Sequence, residues 1–195
     1  MPKQVDHESR RRQIAEAVCR LADEHGLEGV TLRDVAACAD VSMGAVQRCF
    51  RTKEEMLVFA LGHIGGRISA RVAARLAESP AQSARTALGH ATTEISLLRP
   101  EHRAEARVWL AFVAQAAVSP ALAEILRGNY TGLHSLFTRL IAEATATPDA
   151  EREARTLLAL TDGLTTHVLV GHLAPEAALD ALDSHLVRLW GDMAA

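Results

Sequence analysis

Apolar residues recur at helical spacing along most of the chain, and long alternating runs of β-branched residues are absent. Ile14, Val18 and Leu21 predict a first helix over residues 9–25, stopped by Gly26, with Leu27 and Val30 folding back onto its apolar side. Residues 1–8 read as a polar, flexible lead. A short second helix follows, with Leu32, Val35, Ala36 and Ala39 on one face, Thr31 as its cap and Asp34 in the capping-box position. Val41 fits an inward residue of the turn, and Ser42 caps a third helix. That helix buries Val46, Cys49 and Phe50 and turns Met43, Gly44, Gln47 and Arg48 the other way. Thr52 and Glu55 form a second capping box, so a fourth helix opens at Lys53. Two short helices joined by so tight a link fit either a helix-turn-helix or an ordinary helical hairpin whose second member faces water.

The fourth helix is expected to reach residue 78, with Met56, Phe59, Ala60, Ile64, Ile68 and Val72 inward and Pro80 as its stop. Gly65-Gly66 lies in its middle, where each glycine costs about 1 kcal/mol relative to alanine. The pair fits a bend, a close helix contact or simple tolerance. A fifth helix over 81–98 ends at Arg99-Pro100, and a sixth over 101–118 carries Val108, Trp109, Phe112 and Val113. Pro120 opens a seventh helix reaching Ala144, Pro148 separates it from an eighth over 149–171, and a ninth starts at Pro175 and runs to about Trp190. The chain reads as all-α with nine helices.

Composition narrows the function. The 195 residues are 49% hydrophobic and 23% charged, enough apolar content for a folded core. Net charge is −3, but residues 1–53 hold nine Lys/Arg against eight Asp/Glu, whereas the rest holds twelve against sixteen. Lys3, Arg10, Arg11 and Arg12 cluster at the amino end as a basic arm, suited either to a phosphate or minor groove or to plain solvation. Cys19, Cys38 and Cys49 form no C-x-x-C pair, which fits a reducing cytoplasm. No apolar run approaches the roughly 20 residues of a membrane span, and no signal peptide is visible. Neither G-x-S-x-G, H-E-x-x-H nor a phosphate-binding glycine loop occurs, and the nine histidines lack metal-ligand spacing. No enzyme, cofactor or metal is expected.

The run from Thr31 to Lys53 resembles the TetR family of bacterial transcription regulators. Thr31, Arg33, Val35, Ala36, Ala39, Val41, Ser42, Gly44, Val46, Phe50 and Lys53 stand on the positions of that family's T-x-R-x-[VI]-A-x-x-A-G-V-S-x-G-x-[LV]-Y-x-[YH]-F-x-x-K pattern. Asp40 replaces the usual turn glycine, a place where aspartate tolerates the left-handed conformation. Gln47 and Cys49 replace residues that are usually aromatic and that in the family commonly contact the DNA backbone. The resemblance implies a helix-turn-helix DNA-binding domain over residues 1–52 and an effector-binding and dimerisation domain over 53–195. It implies a homodimer bound to a palindromic operator in double-stranded DNA, released by a small-molecule effector and working in the cytoplasm. Expected DNA contacts are Thr31, Arg33, Ser42, Met43, Gly44, Gln47, Arg48, Arg51 and Lys53; of these Gln47 suits an adenine edge, Arg48 a guanine edge or a phosphate, and Lys53 a phosphate.

In the family, the fourth to eighth helices enclose the effector. The candidates here are Phe59, His63, Trp109, Phe112, Tyr130, His134, Phe137, Asp162 and His167. The carboxy-terminal part is similar to the branch of choline- and betaine-responsive repressors, although aromatic residues are only 4% of the chain and indicate no cage for a quaternary ammonium. Leu157, Thr161, Leu164 and Val168 form one stripe, and Leu179, Leu182, Leu186 and Leu189 another. Both are expected to face a second subunit, unless they pack inside their own. The alternative reading of the whole chain is a helical small-molecule-binding or scaffold protein without specific DNA binding.

Overall fold

The computed structural model describes residues 2–78, 83–145 and 147–191, with side chains from residue 7 onward. Among these residues all regular structure is helical: α1 (Pro2–His25), α2 (Leu32–Cys38), α3 (Met43–Cys49), α4 (Lys53–Ala77), α5 (Ala84–Ser96), α6 (Arg103–Ala116), α7 (Pro120–Ala144), α8 (Ala150–Leu169) and α9 (Pro175–Gly191), with one 3-10 turn at Pro100–His102. The nine predicted helices are present. The expected stop at Pro80 and start at Ala81 lie outside the described residues.

Several predicted boundaries differ by one or two residues, and the start of α1 by seven. The amino end is not a flexible lead: α1 already begins at Pro2. Helix α5 ends on Leu97, which takes φ +52°, a conformation that costs a residue with a β-carbon about 1–2 kcal/mol. Leu97 is 3% exposed, so burial of its side chain offsets that cost.

The chain divides into two compact units. Residues 1–67 and 107–127 form the first, in which Ile14, Val18, Val35, Val46, Phe50 and Met56 are buried. Residues 68–106 and 128–195 form the second, whose core joins Val72, Leu88, Phe137, Ile141, Leu157 and Leu182. In α4 the division falls between Arg67 and Ile68, one residue past Gly65-Gly66, and the helix runs through both glycines without a break.

The two leucine-rich stripes of α8 and α9 belong to this second core. Leu157, Thr161, Leu164 and Val168 are at most 8% exposed, as are Leu182 and Leu186, while Leu179 and Leu189 are half-buried against the same cluster. Side chains already covered by their own subunit have little surface left for another. Six of the eight therefore follow the alternative, packing inside their own subunit, and Leu179 and Leu189 keep part of their surface. Even Thr161 is satisfied there, its hydroxyl donating to the Leu158 carbonyl at 2.7 Å.

A second feature the sequence does not show is a buried ionic group in the same unit. Arg71 of α4 bonds Glu105 of α6 and lies 3.5 Å from Glu94 of α5, which in turn faces Arg99 at 3.5 Å. The side chains of both carboxylates are under 10% exposed.

Candidate nucleic-acid interface and effector-domain residues

Local chemistry builds the α2–turn–α3 segment. The Thr31 hydroxyl accepts from the Asp34 amide at 3.2 Å and donates to the Asp34 carboxylate at 2.5 Å. Asp34 thus acts on the cap's side chain rather than its backbone, a one-sided version of the expected box. Asp40 sits at φ +50°, the left-handed turn position predicted for it, with its amide on Ala37 O and the Val41 amide on Ala36 O. Ser42 then caps α3 through the Ala45 amide at 3.2 Å.

Val46, Cys49 and Phe50 anchor α3 in the head. Its opposite face presents Gln47 and Arg48, both exposed, with Met43 40% exposed and Gly44 between them. A β-carbon on Gly44 would come no closer than 3.5 Å to another atom of the chain. The fold itself therefore does not require glycine at 44, and the bare backbone there is open to something outside.

Helix α1 fixes the ends of this segment. Gln13 donates to Ala39 O at 2.8 Å and Arg20 to Cys38 O at 3.0 Å, occupying carbonyls left over at the end of α2. The Arg11 guanidinium lies 4.7 Å from the Phe50 ring centre and 4.4 Å from that of Phe59, with Glu55 at 3.7 Å. Arg12 pairs with Glu8. Two residues of the basic cluster are thus engaged within the chain, Arg11 as an internal clamp and Arg12 with Glu8, and the side chain of Lys3 lies outside the described residues. Phe59, expected at the effector site, is half-buried with its ring against Arg11 and Phe50. At the start of α4, Thr52 caps the Glu55 amide and Glu55 reaches back to the Arg51 amide. Lys53 is half-buried, its ammonium 3.4 Å from Leu27 O, while Arg33 and Arg51 are exposed.

The remaining effector candidates divide between the units. In the first, Phe112 is fully buried, Trp109 is half-buried, and His63 lies 4.0 Å from Glu16. Burial holds the His63 imidazole below its ordinary range, and Arg67 and Arg12 push the same way against Glu16. In the second, Tyr130 donates to Asp162 at 2.7 Å. Burial raises the Asp162 carboxyl above the usual range, opposed by that hydrogen bond. Phe137 is fully buried in the core, His134 bonds the Glu151 carbonyl, and His167 is exposed with its ring against His172. Of the residues expected together, Tyr130 and Asp162 form a direct polar contact.

Among the described residues no group of His, Cys, Asp and Glu could hold a metal, and no helix is long and apolar enough to cross a membrane.

Comparison with known proteins agrees with this anatomy. Residues 14–58 match the family model of bacterial regulatory proteins of the tetR family, and residues 84–191 match that of the BetI-type transcriptional repressor C-terminal domain. The HTH-type transcriptional regulator PksA of Bacillus subtilis is 33% identical over 175 residues, covering 87% of this chain and 83% of that one. The HTH-type transcriptional regulator BetI of Burkholderia mallei is 33% identical over 194 residues, 97% of each. A transcriptional regulator from Rhodococcus sp. superposes with a TM-score of 0.84 at 34% identity, covering 92% of this chain and 95% of that one. A regulator from Saccharomonospora viridis, solved in complex with choline, shares the fold at a TM-score of 0.79 and 24% identity, over 91% of this chain and 95% of that one. A head built around an exposed α3 and relatives matched over nearly the full length lead to one conclusion: the chain belongs to the TetR family, as a non-enzymatic helix-turn-helix transcriptional regulator with a BetI-type carboxy-terminal domain.

Proposed function

We propose that the protein represses transcription as a homodimer on a palindromic operator and leaves it when a small molecule binds the carboxy-terminal domain. The observation that carries the reading is the outward face of α3, where two exposed hydrogen-bonding side chains flank a glycine that internal packing does not demand. Gln47 can bond an adenine edge, Arg48 a guanine edge, and Met43 a thymine methyl, while Gly44 lets the helix lie close. Arg33, Arg51 and the amino end of α4 at Lys53 supply phosphate contacts that fix register. Thr31 and Ser42, occupied as caps, contribute by holding α2 and α3 in place.

One short helix reads few base pairs, so useful specificity calls for a two-fold pair. The outer surface of α8 and α9 suits a second copy: Ala159 and Gly163 of α8 with Val170 just past its end, and Ala177, Ser184 and Val187 of α9, are small or apolar and face away from the core. Val170 is 70% and Val187 64% exposed. Such a regulator works where the chromosome is, in the cytoplasm. An effector can release the operator only by binding one conformation more tightly than the other. Tyr130 with Asp162 is the polar centre of the proposed effector site.

The test is footprinting of the purified protein on the DNA upstream of its own gene at two salt concentrations. A protected palindrome with half-sites about one helical turn apart is expected. Absence of protection even at low salt would favour the scaffold reading.

A further inference from the structure

Helical geometry splits the surface of α3 into flanks. With Val46 inward, Gly44 and Arg48 point most directly outward, Met43 and Gln47 occupy one flank, and Ala45 and Cys49 the other. On this second flank the chain leaves a groove of about 500 Å³ between α3 and the early turns of α1. Ala45 and Cys49 form its apolar wall; Arg10 and His7 from α1 and Arg48 from α3 line it with basic groups, against the single carboxylate of Asp40. The groove is open because the α3 side chains on this flank are small, and it is reached because α1 extends back to Pro2.

The three consecutive arginines of α1 have separate fates. Arg11 lies over two adjoining phenylalanine rings, and Arg12 turns to Glu8. Arg10 alone of the three lines the groove beside the reading helix. A groove with two arginines and a histidine, running along a helix seated in the major groove, matches a sugar-phosphate strand in charge and in place.

We propose that this α1/α3 groove receives the DNA backbone flanking the bases read by α3, with Arg10 as its phosphate-binding residue. The inference rests on the proposed DNA-binding function and deepens it. Phosphate contact on this side is then made by α1, and the wall of small side chains lets the strand approach the reading helix closely.

The test compares Arg10→Ala, Arg10→Gln and Arg12→Ala in quantitative binding to the footprinted operator across a salt series. Arg12→Ala removes the same charge from the same helix but not from the groove. Thermal unfolding of each variant checks that the head remains folded. The expected result is a salt slope lowered by roughly one for both Arg10 variants, equal weakening on operator and unrelated DNA, and an unchanged slope for Arg12→Ala. Equal behaviour of the Arg10 and Arg12 variants would overturn the groove assignment while leaving the regulator reading intact. No salt-dependent binding by the unsubstituted protein would overturn both.

Discussion

Arg11 offers a direct contrast between two uses of a basic residue. As part of a DNA-contacting arm, it would be lost at the expense of affinity alone. As the clamp seen here, it would be lost at the expense of the fold. The structure sets the size of the second effect. Its guanidinium lies within 5 Å of two aromatic ring centres, at 4.7 and 4.4 Å, and its side chain is 28% exposed. A cation–π contact contributes about 0.5–1 kcal/mol in the open and about 2 kcal/mol when desolvated, so two partly covered contacts amount to roughly 2 kcal/mol. The Glu55 pair, at 3.7 Å and with Glu55 41% exposed, adds well under about 1 kcal/mol. Arg11→Ala should therefore destabilise by about 2–3 kcal/mol, including the lost packing of its alkyl stem. At this chain length that lowers Tm by roughly 5–10 °C. Arg11→Lys should recover only part of this, since an ammonium keeps the charge but not the planar stacking. Urea and thermal melts followed by circular dichroism measure the loss, and operator binding below the variant's Tm should keep the unsubstituted salt slope. A variant with unchanged Tm and a slope lowered by one would refute the clamp and restore the arm.

Other consequences can be measured separately. Arg71→Met leaves Glu105 and, in part, Glu94 buried without their cation; breaking such a pair costs about 3–5 kcal/mol, and the remaining Arg99 contact places this case at the lower end. Adding Glu105→Gln should return much of that loss in the same urea melts, because a neutral pair has no charge left to bury. Asp162 has a raised folded pKa, so its ionised form opposes folding: stability relative to Asp162→Asn is equal at low pH and falls as pH rises from 3.8 through the folded value. Asp162→Asn, which still accepts from Tyr130, should thus raise Tm at pH 7 and match the unsubstituted chain near pH 3; a lower Tm at pH 7 would contradict this. Arg48→Ala should weaken operator binding and relax preference at one base pair by about 1–3 kcal/mol. Lys53→Ala should weaken all sequences alike and lower the salt slope by roughly one, and an unchanged slope would remove Lys53 from the phosphate contacts.

How much of this was legible in the sequence depends on the distance over which each feature is determined. Caps and breakers act within a few residues, so Pro120, Pro175, Thr31, Ser42 and the left-handed Asp40 appear where the pattern puts them. Gly26, at φ +70°, ends α1 as expected of a residue without a β-carbon. Leu97 takes a similar conformation with no local sign, because the compensation comes from its burial. The stripes of α8 and α9 show the other limit: periodicity tells which face is covered, not whether the cover is the same chain or another. Arg11 and Arg71 were beyond reach for the same reason, their partners lying tens of residues away in the chain. The effector region was least legible, since a buried phenylalanine such as Phe137 and a ligand-contacting one have the same signature in sequence.

The central claim, that α3 reads a two-fold operator, is tested most directly by selecting bound duplexes from a random pool with the unsubstituted protein and with Arg48→Ala. The account predicts an inverted repeat with half-sites about one helical turn apart, and loss of preference at one symmetric position in the variant. A pool without enrichment, or an identical repeat with the variant, would contradict it.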